Sequence, residues 1–154
     1  MPSSLKLDAF LPYRLSIASN AVSDAVATAY RTLFGLRIPE WRLITVLAED
    51  GPMSQQALCG RTRMDKVTVS RAAIALADRG LIARAANPGD QRSHLIALSD
   101  AGWTLYEQIA PKAIDLEKRI FEGFSDLERT QLHAMLERLE AAAAALDPGP
   151  AARA

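Results

Sequence analysis

The run Asp65-Lys66-Val67-Thr68-Val69-Ser70-Arg71 sets two short hydroxyls and two cations side by side in one stretch. A helix that enters the major groove of DNA needs short polar side chains near its N-terminus, so that backbone and bases can approach, with cations beside them for phosphates. This run supplies both. Thr68 and Ser70 offer hydroxyls to base edges or phosphates, Lys66 and Arg71 add charge-assisted contacts, and Val67 suits a thymine methyl. Val69, Ala73 and Leu76 fall to the core side. The competing reading is structural: each hydroxyl is solvated and Arg71 pairs with an acid.

A second group lies downstream, where Asn87, Pro88, Gly89 and Asp90 form a dense turn signal and Arg92 follows just beyond it. An extended guanidinium on such a turn fits the negative potential of a minor groove. Arg61, Arg63 and Arg84 are candidate phosphate contacts or partners of Asp90, and Asp90 alternatively just caps its own turn. The charge distribution agrees. The chain is neutral overall, but residues 59–94 carry 7 basic and 3 acidic side chains, whereas residues 95–154 carry 6 and 10. Screening at physiological salt limits those distant carboxylates to a reach of about 8 Å, so the central patch can still attract phosphate.

Other chemistries have little to work with. One cysteine, Cys59, and two separated histidines, His94 and His133, exclude an internal disulfide and argue against a protein-only zinc cage. There is no Gly-rich phosphate loop and no paired nucleophile and base, so an enzyme is not expected and no cofactor is called for. Cys59, flanked by Leu58 and Gly60, reads as a small buried thiol, with redox sensing as the alternative. No apolar run approaches the ~20 residues of a membrane span and the first residues do not resemble a signal peptide, which places the chain in the cytoplasm. A pure protein-interaction module is the remaining rival.

The elements that must position these residues follow from periodicity. Leu15, Ala18, Val22, Ala25, Val26, Ala29 and Leu33 recur at steps of three and four from Pro12 to Phe34, which predicts a long helix ended by Gly35. Pro39 opens a second helix with the stripe Trp41, Ile44, Leu47 and Ala48, broken by Asp50, Gly51 and Pro52. Ser54 caps a short third helix, Gln55 to Cys59, with a turn at Gly60. A fourth runs from about Asp65 to Arg79, closed by Gly80. LIARAA and SHLIALS flank the Asn87–Asp90 turn and read as a two-stranded hairpin. Ser99 caps a helix through about Phe121 that Pro111 should bend or interrupt. Ser125 and Glu128 form a capping-box pattern before a last helix with the stripe Leu132, Met135, Leu136, Leu139, Ala143 and Leu146.

Three helices followed by a β wing are the order of a winged helix-turn-helix. The fold class expected is therefore mainly α with a small β wing, flanked by terminal helices. The stretch EWRLITVLAEDGPMSQQALCGRTRMDKVTVSRAAIALADRGLIARAANPGDQRSHLIALSDAG resembles the DNA-binding core of MarR-type regulators, and LPYRLSIASNAVSDA with the C-terminal helices resembles that family's dimerisation elements. The divisions expected are 1–35, an N-terminal dimerisation region; 36–99, the DNA-binding domain; 100–148, C-terminal dimerisation helices; and 149–154, a flexible tail. Two departures concern DNA contact: Ala72, Ala73, Ala75 and Ala77 make the recognition helix slim, and Gln91 stands where many relatives carry a second Arg.

The resemblance implies that Arg92 enters the minor groove and that Asp90 steadies the wing by pairing with a nearby Arg. It also implies a transcriptional regulator, most readily a repressor, that binds double-stranded DNA with an inverted-repeat operator. The apolar stripes of the first and last helices exceed what a core of about 65 residues consumes, so a two-fold homodimer is expected, against a monomer with both helices folded back. In such proteins small anionic or phenolic compounds bind where dimerising helices meet the winged domain. Here Arg14, Ser19 and Ser23 of the first helix and Trp41 and Arg42 of the second would line that junction, suiting an aromatic carboxylate or its coenzyme A thioester. The alternative is that Trp41 is core and both Arg are surface.

Overall fold

The computed structural model describes residues 4–146, so the expected tail at 149–154 lies outside the described residues. A single 3₁₀ turn, Leu7–Ala9, precedes six helices: α1 (Leu11–Phe34), α2 (Ile38–Asp50), α3 (Gln55–Thr62), α4 (Lys66–Asp78), α5 (Asp100–Ile120) and α6 (Asp126–Leu146). Three strands, β1 (Met53–Ser54), β2 (Ile82–Ala86) and β3 (His94–Leu98), form an antiparallel sheet in the order β1-β3-β2. The expected two-stranded hairpin thus has a third member. Met53 pairs with Ile96 and Ser54 with Leu95, contacts between segments some 40 residues apart that no local pattern announces.

Several ends form for the reasons read from the sequence. Gly35 adopts a left-handed conformation at φ 62°, and its N–H bonds the Arg31 carbonyl at 3.0 Å, ending α1. Ser125 and Glu128 exchange both capping-box bonds, at 2.7 and 3.1 Å. Ser99 accepts the Gly102 N–H at 3.1 Å and donates its hydroxyl to the Gly80 carbonyl at 2.6 Å, tying the start of α5 to the turn after α4.

Two expectations are corrected. The third helix does not stop at Gly60 but continues to Thr62, and Arg63 takes the left-handed turn at φ 56° in place of a glycine. A side chain there costs roughly 1–2 kcal/mol, which the surrounding helices must offset. Of the bend or interruption expected at Pro111, the interruption does not occur, since α5 stays helical through it. Proline removes one N–H and crowds the previous turn, yet buried Ile109 and core-packed Ala113 hold the helix on either side.

The core gathers Leu43, Ile44 and Leu47 of α2, Leu58 of α3, Val69, Ala73 and Leu76 of α4, and Ile82 and Ile96 of the sheet. Each fully buried aliphatic side chain contributes about 1.5–3 kcal/mol. Cys59 is half-buried against this core. Ala72 and Ala73 are buried, so the slimness of α4 sets how closely it seats on the core and leaves its outer face to other residues. The chain divides into two compact units within α5, between Ile114 and Asp115. In the first, Leu15, Val22 and Leu33 of α1 face outward; in the second, Leu127, Met135, Leu136 and Leu139 of α6 do the same.

Candidate nucleic-acid interface

Helix α4 begins at a cap that sequence reading placed inside the helix. Asp65 is the N-cap: its carboxylate accepts the Thr68 N–H at 2.7 Å and the Thr68 hydroxyl at 2.9 Å. Those two bonds from Thr68 hold the Asp65 carboxyl below its ordinary value. The hydroxyl proton of Thr68 is therefore committed to Asp65, and toward a ligand this oxygen is an acceptor only.

The rest of the outer face is free of such ties. Lys66, Val67 and Arg71 are exposed and Ser70 half-exposed, and the i, i+3, i+4 spacing aligns Val67, Ser70 and Arg71 along one stripe. Ile74, not foreseen, continues that stripe at 52% exposure, beside Val67 at 58%. Its signal was present in the spacing, since 67, 71 and 74 share a face, but an aliphatic residue was more readily given to the core.

Arg61 lies on α3, where its Nε bonds Asp50 at 2.8 Å and its Nη2 bonds Glu49 at 3.1 Å. Two carboxylates of α2 thus neutralise it, and it fastens α3 to α2. Arg63 sits one residue past α3, in the turn that leads into α4.

The wing loop between β2 and β3 is closed from within. Asn87 accepts the Gly89 N–H at 3.0 Å and donates to the Ser93 hydroxyl at 3.0 Å, while Asp90 accepts the Arg92 N–H at 2.9 Å. Asp90 therefore caps its own turn, and Arg61, one of its three candidate partners, is taken by α2. The side chain of Arg92 stands exposed at the tip. A groove of about 370 Å³ runs from the wing to the start of α3, bringing Arg84, Arg92 and His94 opposite Gln55 and Gln56. The two glutamines and His94 were missed, because only the β1–β3 pairing brings the start of α3 against the wing.

Of the junction residues, Arg14, Ser19 and Arg42 are exposed and Ser23 is half-buried. Trp41 packs on the core and stacks on Tyr30 with ring centroids 4.9 Å apart. Its indole Nε1 is buried with no hydrogen-bond partner among the described residues. Burial also raises the Tyr30 hydroxyl above the usual tyrosine value.

A helix-turn-helix with an exposed polar stripe on its second helix, and a cationic wing beside it, is a DNA-reading arrangement. Residues 34–93, from the end of α1 through the wing loop, match the model of the MarR family. A probable transcriptional regulator from Pseudomonas aeruginosa has a similar structure, with a TM-score of 0.81 and 30% identity over 87% of this chain and 99% of that one. The chain belongs to the MarR family. A MarR/EmrR family transcriptional regulator from Acinetobacter sp. ADP1 gives a TM-score of 0.83 at 29% identity, covering 92% of this chain and 100% of that one. The HTH-type transcriptional regulator PecS of Dickeya dadantii is 26% identical over 130 residues, 82% of this chain and 76% of its own length. This MarR-family chain is a DNA-binding transcriptional regulator and not an enzyme. No helix among its described residues is long and apolar enough to cross a membrane.

Proposed function

We propose that the protein is a homodimeric repressor that binds an inverted-repeat operator in double-stranded DNA and is released by a small aromatic effector. The observation that carries the reading is the exposed stripe of Lys66, Val67, Ser70 and Arg71 on α4, with Arg92 on the wing alongside. The stripe suits the major groove and the guanidinium the adjacent minor groove. Residues 36–99 then form the DNA-binding part. The outward apolar faces of α1 and α6 support regions 1–35 and 100–148 as dimerisation elements, since faces of this kind need a partner and a second copy is the default. A similar protein, IacR of Pseudomonas putida, is a transcriptional repressor, which supports repression over activation.

Footprinting on genomic fragments tests this, with sedimentation at the same concentrations. Two protected half-sites about 10 bp apart, centre to centre, are expected for a two-fold protein. A single protected half-site bound by a monomer would overturn the dimer, and no protected fragment would overturn the regulator reading of this face.

For the effector, the supporting observation is the Trp41 Nε1 donor, buried without a partner and backed by the Tyr30 ring. An unpaired buried donor costs about 1–3 kcal/mol, which an incoming carboxylate oxygen would recover. An aromatic carboxylate suits such a place, or its coenzyme A thioester where the site opens to solvent. Arg14 or Arg42 would meet the charge, and Ser19 and Ser23 would supply hydroxyls. The ligand must favour the form that does not hold DNA, because equal affinity for both forms shifts nothing. A thermal-shift panel of aromatic acids and thioesters, with each hit retested for operator release, checks the class. Trp41→Phe should weaken the response to an effector by about 1–3 kcal/mol; hits whose affinity it leaves unchanged, or that leave DNA affinity unchanged, refute the assignment.

A further inference from the structure

We infer that Arg79 is a positioning residue that fixes the reading helix to the dimerisation helix and so sets the half-site spacing the protein accepts. The inference rests on the operator-binding dimer proposed above. Arg79 closes α4, its own N–H bonding the Ala75 carbonyl at 3.3 Å. Its guanidinium reaches across 44 and 45 residues of sequence to the end of α1, with Nη1 donating to the Gly35 carbonyl at 3.3 Å and Nη2 to the Phe34 carbonyl at 3.2 Å.

Those carbonyls need a donor from elsewhere. At the end of α1 the Gly35 N–H returns to Arg31 and the Leu36 N–H to Tyr30, so the turn's own amides are spent on earlier carbonyls. Each helix C-terminus carries about half a negative charge, and here the ends of α1 and α4 meet at one cation. The planar fork of arginine can serve two carbonyls at once, which the point charge of lysine does less well. Other contacts of α1 with the domain run through the Tyr30–Trp41 stack and through Val26 and Phe34 packed on the core. Arg79 is thus a direct strut from α1 to the end of α4.

The strut has a mechanical role in a dimer. The distance and angle between two reading helices depend on how each is held to its own dimerisation helix. A two-pronged bond at the end of α4, away from the DNA-facing N-terminus, restricts the swing of that helix without touching DNA.

The experiment measures binding of the full-length parent, Arg79→Ala and Arg79→Lys to duplexes carrying the footprinted operator. One set keeps the natural spacing, a second has one or two base pairs inserted or removed between half-sites, and a third carries one half-site alone. The parent should discriminate against altered spacings, and Arg79→Ala should reduce that discrimination by roughly two- to thirtyfold, the range of coupling carried by single intermediary residues. Half-site affinity should be unchanged, and Arg79→Lys should recover part of the discrimination. If Arg79→Ala does not fold, the Arg79→Lys comparison alone carries the test. Equal weakening on every duplex, or discrimination equal to the parent's, would overturn the role. Failure of the parent to bind any fragment removes the operator reading and this inference with it, an outcome distinct from a parent that binds and a variant that behaves like it.

Discussion

The hydroxyl of Thr68 donates to Asp65 Oδ2 at 2.9 Å, while two residues further along α4 the half-exposed Ser70 makes no such side-chain bond among the described residues. The two hydroxyls therefore do different work. Thr68→Val should lower the melting temperature with little change in operator affinity, because it removes a cap bond. Ser70→Ala should weaken the operator by about 0.5–1.5 kcal/mol, one ordinary hydrogen bond, and leave the melt alone. Paired melts and anisotropy titrations separate them, and an affinity loss confined to Thr68→Val would reverse the assignment.

Arg92 and Arg61 are both exposed cations near the proposed DNA face, but only Arg61 is neutralised, by Glu49 and Asp50. Arg92→Ala should weaken operator binding by about 1–3 kcal/mol with folding intact. Arg61→Ala should leave the salt dependence of binding unchanged and cost at most about 1 kcal/mol of stability, as for an exposed ion pair. Binding measured against salt concentration distinguishes a phosphate contact, whose loss lowers the slope by about one unit.

The Asp65 carboxyl is held below its ordinary value by the Thr68 N–H and hydroxyl, which fixes the sign of a pH effect. A carboxyl whose folded value is depressed stabilises the protein above the unfolded value, near pH 4, and loses that contribution as pH falls through the folded value. Asp65→Asn keeps a capping oxygen but not the charge. The parent should melt higher than this variant at neutral pH, and the gap should close on acidification. A gap that persists in acid would mean that the charge plays no part.

Gly102 sits where α5 crosses the start of β2, and a methyl group there would collide with the Leu81 carbonyl oxygen and press on Leu98 Cδ2 at 3.2 Å. A backbone atom cannot rotate away. Gly102→Ala should cost about 1–3 kcal/mol, the range for overpacking, or some 2–10 °C in melting temperature. Calorimetry checks this, and an unchanged melt would show that α5 can shift freely at its start.

The legible parts of this fold are those whose cause lies within a few residues. Gly35 ends α1, Ser125 and Glu128 open α6, and the turn residues 87–90 divide the wing, because backbone conformation and capping are local matters. The outward face of α4, with Lys66, Val67 and Arg71 exposed, was legible for the same reason. What escaped depends on contacts made only after folding: the β1–β3 pairing, the approach of Gln55 and His94, and the capture of Arg61 by α2. The end of α3 was misread because a glycine at position 60 is permission to turn and not a command. Arg63 turns instead, one residue before Met64 packs on the core, and that packing selects the site.

Ser54 belongs to two structures at once: it lies opposite Leu95 in the sheet, and its hydroxyl accepts the Ala57 N–H at 3.1 Å to cap α3. The root of the wing and the first turn of α3 therefore share one residue. In the proposed DNA-bound mode, the wing and the helix-turn-helix would meet the two grooves as one unit rather than as two independent fingers. Less freedom would then be frozen on binding, and a duplex whose grooves do not match the spacing of that unit would bear more of the deformation.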